Sequence, residues 1–345
     1  MRDKATPIGE DGEAGAAALL EEQIRSRHPG MDEALRHSLA RLGASIAARD
    51  AQEARAQPAR AVRLPVWPEA TRGVPNSFLR GALFAAIQGK ERRYLSAELL
   101  ASRDGISIRF TGMQLDQSDL DLWEQAVQST HQHPLGKTYG LSIHGFLVAL
   151  GRNTGKKDHE WLKGSLRRLA STCVEITHGR YTYGGSMLEF AYDDSAGIYT
   201  LRLNPKIISL YEAGWTAIDW NTRQKLRRKP LALWLHGYLS SDAENYPTKL
   251  ETLRRLSGSN TKALKHFKAN LKTALADLES ATEGRMTGTI TETSLVEWKR
   301  QPTPSQERHL AKKAVRPGTR LNKPSAVNSL LPNRPCGRKT KEPTQ

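Results

Sequence analysis

LSIHGFLVALGRNTGKKDHEWLKGSLRRLASTCVEITHGRYTY, residues 141–183, is the stretch on which the fold turns. Leu141 to Leu150 is apolar and predicts a short helix. Gly151 stops it, because a residue without Cβ accepts the left-handed backbone that follows a helix end. Arg152, Asn153, Thr154 and Gly155 make a polar turn, and a second helix is predicted from about Lys156 to Thr172. On a helical wheel its Leu162, Leu166, Leu169 and Cys173 lie within about 60° of one another, while Lys156, Lys157, Lys163, Arg167 and Arg168 cover the opposite side. One face packs and the other presents positive charge. Val174 to Thr177, Tyr181 to Ala191 and Ile198 to Leu203, with turns at His178-Gly179 and Asp193 to Gly197, then read as a β-meander. Helix, turn, basic helix and β-hairpin is the order of a winged helix.

The same order recurs downstream. Pro230 suits the first turn of an apolar helix from Leu231 to Leu239. Thr248 and Glu251 match a capping box for a helix from Leu250 to Ser257, which Gly258 and Ser259 break. Asn260 is placed to cap a helix to about Glu279. There Leu264, Phe267, Leu271, Ala274, Leu275 and Leu278 form an arc of about 100°, and Lys262, Lys265, Lys268 and Lys272 an adjoining one. Met286 to Trp298 supplies the hairpin. Upstream, Asn76 or Ser77 opens a helix whose stripe is Phe78, Leu79, Ala82, Leu83, Ala86 and Ile87, and Ser118 with Asp121 opens another containing Leu122 and Val127. The expected class is α+β, with two winged-helix units in tandem at 75–212 and 213–298.

Outside these units the composition changes. The chain has 345 residues and a formal net charge of +16. Residues 299–345 hold 12 basic and 2 acidic side chains among seven prolines, which predicts a disordered basic arm. Residues 1–62 are close to neutral and are expected to be mostly disordered, with one interaction helix from Met31 to Ala48 on Leu35, Leu39, Leu42 and Ile46, and residues 63–74 read as a Pro-containing linker. The longest run free of acidic and basic residues, Thr138 to Gly151, has 14 residues and falls short of the roughly 18 needed for a membrane span. With only Cys173 and Cys336, no disulfide framework or four-cysteine zinc site can be built. A cytoplasmic protein without membrane association, metal or cofactor is expected.

Two basic faces, each on the helix after a tight turn, point to DNA. In a helix-turn-helix that second helix enters the major groove, where Arg and Lys reach guanine edges and phosphates. Arg223, Lys225, Arg227, Arg228 and Lys229 add a run of candidate phosphate contacts. Phosphate-loop signatures fail: Gly151 to Lys157 has the wrong spacing, and Gly136-Lys137-Thr138 lacks the upstream glycine. His131-Gln132-His133 with Tyr139, Tyr181 and Tyr183 has the residue types of a rolling-circle nickase. Gln132 stands where that chemistry places a bulky hydrophobe, and Pro134 favours a loop. A non-enzymatic DNA-binding protein is the expectation, with a winged-helix transcriptional regulator as the rival and a nickase as a remote one.

Several motifs resemble the TrfA-type replication initiators of broad-host-range plasmids. They are Pro75-Asn76-Ser77-Phe78-Leu79-Arg80-Gly81-Ala82-Leu83-Phe84, Leu115-Asp116-Gln117-Ser118-Asp119-Leu120-Asp121-Leu122-Trp123-Glu124, Gly179-Arg180-Tyr181-Thr182-Tyr183, Leu203-Asn204-Pro205-Lys206 and Ile218-Asp219-Trp220. The resemblance spans Leu64 to Trp298. It implies tandem winged helices that bind directly repeated sites, or iterons, in double-stranded origin DNA, and melting of an adjacent A·T-rich segment with contact to its single strands. It also implies recruitment of the host initiator, the replicative helicase and the polymerase sliding clamp. A monomer-dimer equilibrium linked to copy-number control is implied as well. A clamp peptide of the family would fall on Leu64, Val66 and Trp67, with Arg63 in place of the usual Gln.

Overall fold

The computed structural model describes residues 62–303 apart from 88–91, 131–133 and 194–197, with scattered residues between 18 and 41 and between 306 and 311. The chain divides into Met1–Val62 and Arg63–Gln345. In the first unit the described part of the Met31–Ala48 helix, Glu33, His37, Ala40 and Arg41, is helical. The rest of that helix, its leucines included, and nearly all of the basic tail lie outside the described residues.

The second unit is α+β. Its elements run β1 (Thr71–Pro75), α1 (Asn76–Leu79), β2 (Phe84–Ala85), β3 (Tyr94–Leu100), β4 (Ile106–Met113), β5 (Leu115–Asp116), α2 (Gln117–Thr130), β6 (Thr138–Ser142), α3 (Ile143–Ala149) and α4 (Lys156–Ser171). They continue with β7 (Cys173–His178), β8 (Tyr181–Gly185), β9 (Glu189–Asp193), β10 (Ile198–Arg202), α5 (Ile208–Glu212), β11 (Trp215–Asp219), α6 (Trp220–Lys225) and α7 (Pro230–Ser240). The last are β12 (Thr248–Lys249), α8 (Leu250–Leu256), α9 (Leu264–Ala281), β13 (Met286–Ile290) and β14 (Leu295–Arg300).

One arrangement is built twice. β6, α3, α4 and the hairpin β9–β10 give an antiparallel sheet in the order β6-β10-β9. β12, α8, α9 and the hairpin β13–β14 give the order β12-β14-β13. Each first helix ends in the same way. Gly151, at φ +66°, donates to the Val148 carbonyl at 2.8 Å while Arg152 donates to Leu147 at 2.9 Å. Gly258, at φ +61°, donates to Arg255 at 3.1 Å and Ser259 to Arg254 at 3.3 Å. Both are Schellman stops, in which glycine takes the left-handed position and the last carbonyls find donors.

The hairpin that directly follows α4, β7–β8, is an addition to this pattern. It leaves its neighbours and joins β4, giving the sheet β3-β4-β7-β8. The expected meander is thus split at Ser186 to Leu188 into strands of two different sheets, and Tyr181 to Ala191 is not one strand. Val174 and Ile176 point inward and Cys173 outward, because a strand alternates where a helix wheel does not.

Other boundaries also move. The stripe from Phe78 to Ile87 is buried as expected, but α1 stops after Leu79. Gly81 bridges Ser102, Ala82 donates to the Ala101 carbonyl at 2.8 Å, and a Cβ on Gly81 would sit 2.7 Å from that oxygen. Asp116, rather than Ser118, caps α2, accepting from Ser118 N at 2.9 Å and Asp119 N at 3.1 Å. Thr248 lies in β12 and makes no cap. α9 starts at Leu264, four residues beyond Asn260, so Leu264 is exposed rather than packed.

The apolar side chains form two clusters. The larger runs from Leu64 to Trp220 and contains Phe78, Phe84, Phe110 and Trp123. The smaller joins Ala86 to residues between Leu226 and Val296, with α7 buried almost all round and α9 facing it through Phe267, Leu271, Leu275 and Leu278. β11 pairs with β1, which places Ile218 and Trp220 in the larger cluster. Residues 63–74 are likewise structural: Trp67 stacks on Tyr211 with centroids 6.1 Å apart and donates its Nε1 proton to Gln128 at 2.6 Å. Among the described residues no helix is long and apolar enough to cross a membrane.

Candidate nucleic-acid interface

The acidic helix α2 decides which basic residues remain at the surface. Asp119 is fully buried and holds Arg168 at 2.7 Å and Arg92 at 3.0 Å. Arg92 also pairs with Asp116. Arg223, 1% exposed, lies 2.6 Å from Asp121 and 3.4 Å from Glu124 and donates to Gln117 at 3.3 Å. Arg72 donates to Gln125 at 2.8 Å and covers the Trp220 ring at 4.4 Å. Burial holds the Asp119 and Asp121 carboxyls above the usual carboxylate range, an effect their arginines only partly offset. An unpaired buried charge would cost several kcal/mol, so each of these guanidinium groups is tied to the interior.

Two candidates for DNA contact are therefore engaged by acids of α2. Arg168 closes against Asp119 and Ser165, the latter at 2.7 Å, and belongs to the packing of α4 on α2. Arg223 is a core residue, its side chain sealed from the surface. From that run, Lys225 pairs with Glu283 at 2.9 Å and Lys229 with Asp277 at 2.7 Å, whereas Arg227 and Arg228 are exposed. Sequence reading missed these roles because it counts cations along one element, while the partner acids sit on another.

What remains on α4 is Lys156 and Lys157 in the first turn and Arg167 further along, all exposed. Lys163 is half-buried, with its ammonium 4.9 Å from the centre of the Tyr192 ring on β9. Tyr192 is 41% exposed, so this pair joins the helix to its hairpin at the surface. At the turn, the Arg152 guanidinium carbon sits over the Trp161 ring, 3.5 Å from its centroid, and the side chain reaches Asp158 at 3.0 Å. On the second unit Lys262 is exposed in the loop before α9, where its carbonyl accepts from Arg254. Lys265 and Lys272 are exposed on α9 and Lys268 half-buried. α4 thus presents cations opposite its packed face, and α9 presents them beside its own.

The Leu64-Val66-Trp67 peptide is not a free ligand for a clamp. Leu64 and Trp67 are 4% and 5% exposed within the larger cluster, and only Val66 points out. Docking would require removing two core side chains. For the nickase reading, His131 and His133 lie outside the described residues. Tyr183 is buried with its hydroxyl donating to the Ser186 carbonyl at 2.5 Å.

A curated relative, the plasmid replication initiator protein TrfA of Escherichia coli, is 26% identical over 226 residues, covering 62% of this chain and 58% of its own length. The chain therefore spans less than two thirds of that relative. Two crystal structures of domains 2 and 3 of RctB are similar at TM-scores of 0.45 and 0.40, with 15% and 13% identity. They cover 66% and 65% of this chain and 98% and 97% of their own. The family model described as TrfA protein matches residues 26–300, most of the chain and every element built above, and this chain belongs to that family.

Proposed function

We propose that the protein is a non-enzymatic plasmid replication initiator that binds directly repeated sites in double-stranded origin DNA through two winged helices. The observation that carries this reading is the repeated unit: strand, helix, glycine stop, basic helix, hairpin, twice in one chain. In each unit the helix after the stop is the reading helix and the hairpin sharing a sheet with the leading strand is the wing. For the first unit that wing is β9–β10. Lys156, Lys157, Lys163 and Arg167 serve the first site, and Lys262, Lys265, Lys268 and Lys272 the second. Binding across an array of sites supplies the few kcal/mol needed to unstack weak A·T steps nearby. The host initiator, replicative helicase and sliding clamp are the partners this role calls for, with clamp contact made by a segment other than Leu64–Trp67.

Permanganate footprinting on the supercoiled plasmid that encodes the chain, with host initiator present, tests the role. Opening of an A·T-rich segment beside a repeated footprint is expected. Promoter protection without opening would make the protein a transcriptional regulator. A metal-dependent covalent tyrosine adduct would make it a nickase.

A further inference from the structure

Between the two basic helices lies a third group of cations that neither reading helix contains. Arg152 follows the glycine stop of α3. Arg227 and Arg228 lie in the loop joining α6 to α7. The structure brings them together: a Cβ on Gly151 would lie 3.1 Å from an Arg227 Nη atom, and both Arg227 and Arg228 repel the charge of Arg152. All three line a cavity of about 190 Å³ with Trp161 as one wall.

The acids nearby are already engaged. Asp116 and Asp121 border the same cavity but hold Arg92 and Arg223, and Asp158 serves Arg152. Arg227 and Arg228 make no ion pair within 4.0 Å among the described residues. Gathering like charges costs free energy, and an anion bound between them returns it. Arg228 also holds φ +67°, a conformation that disfavours a side chain with Cβ.

Position selects the anion. The cluster starts at the turn that precedes α4. Arg228 and Lys229 line a second cleft that reaches Ser259, Asn260 and Thr261, in the turn that precedes α9. The cations therefore lie on the path from the start of one basic helix to the start of the other.

We propose that Arg152, Arg227 and Arg228 form a phosphate-binding bracket that grips the DNA backbone between the two half-sites and fixes their spacing. This rests on the DNA-binding reading above. The bracket reads no base, so it adds affinity while constraining register.

The test uses the full chain and a duplex that it recovers from a random-sequence pool. The double variant Arg227→Gln with Arg228→Asn keeps polar groups, and Asn tolerates the left-handed backbone. Its affinity for that duplex at physiological salt is expected to fall about tenfold, with the logarithmic salt slope smaller by about 1.8, at about 0.9 per phosphate contact. Its melting temperature should match the parent's. Uncharged methylphosphonates between the two footprints should weaken the parent several-fold more than the variant, which keeps only Arg152 of the bracket. Parent affinity and slope in this variant, with weakened binding by Lys156→Ala/Lys157→Ala, would overturn the bracket and keep the DNA reading. A variant weakened by methylphosphonates as much as the parent would also overturn it. If the parent recovers no duplex, the DNA reading falls and the bracket with it.

Discussion

At the scale of single residues, neighbouring arginines on one helix lie in opposite environments. Arg168→Ala leaves Asp119 buried with half its pairing and is expected to cost about 3 kcal/mol of stability. Arg167→Ala removes an exposed cation and should change stability by less than about 0.5 kcal/mol while weakening DNA binding. Urea denaturation and a binding titration on both variants check the pair. Two buried groups near Arg223 set a second prediction. Burial pushes the Glu124 carboxyl up to about 7, opposed by Arg223 and Arg72 and assisted by Asp121. Burial, with Arg223 adding to it, pushes His236 down to about 3. Above its ordinary 4.5, an unfolded Glu124 has released a proton that the folded chain keeps until about 7, so stability falls as pH rises through that window. Below 6.5 an unfolded His236 takes up a proton that the folded chain refuses until about 3, so stability falls as pH falls. From 4.5 to 6.5 the two slopes, each about 1.4 kcal/mol per pH unit, oppose each other. Glu124→Gln should therefore make the melting temperature rise with pH across that window relative to the parent, and His236→Gln should make it fall. Parallel curves for all three proteins would refute the assignment.

At the scale of elements, the two basic helices differ from the strands β3 and β4 in how they could be found. Leu162, Leu166 and Leu169 on α4, and Phe267, Leu271 and Leu278 on α9, are spaced for one buried face, and Gly151 and Gly258 stop the helices before them. These were legible because each signal is local. β3 and β4 were not, since Ser96, Glu98, Ser107 and Arg109 leave only Leu95, Ile106, Ile108 and Phe110 inside, and their pairing partner β7 comes about 60 residues later. The Arg168–Asp119 and Arg223–Asp121 pairs were hidden for the same reason, because separation in sequence carries no trace of contact. For α9, Lys265→Ala with Lys272→Ala should reduce the salt slope of duplex binding by about 1.8 without altering far-UV circular dichroism. An unchanged slope would remove α9 from the interface.

At the scale of the whole molecule, two apolar clusters meet along α7, where Leu79 of the larger lies against Gly237 and polar contacts add to the join. Arg80 reaches Asp242 at 2.8 Å and Arg103 covers the Tyr238 ring at 4.2 Å, both linking the larger cluster to the end of α7. The segment 63–74 belongs to the larger cluster in spite of its three-proline neighbourhood. A chain starting at Pro68 loses Leu64 and Trp67 and should be less stable by about 3–5 kcal/mol, which urea titration would read.

The pairing of β1 with β11 has a consequence for how the chain is made. Thr71 meets Asp219 across about 150 residues of intervening sequence. On a ribosome adding about 5–20 residues per second, β1 waits for at least several seconds before its partner is synthesised. During that interval Val74 and Trp67 have no Ile218, Tyr211 or Trp215 to cover them. The nascent first half is therefore the stage at which chaperone demand should be greatest, and slowing translation before residue 215 should lower the soluble yield more than slowing it after residue 225.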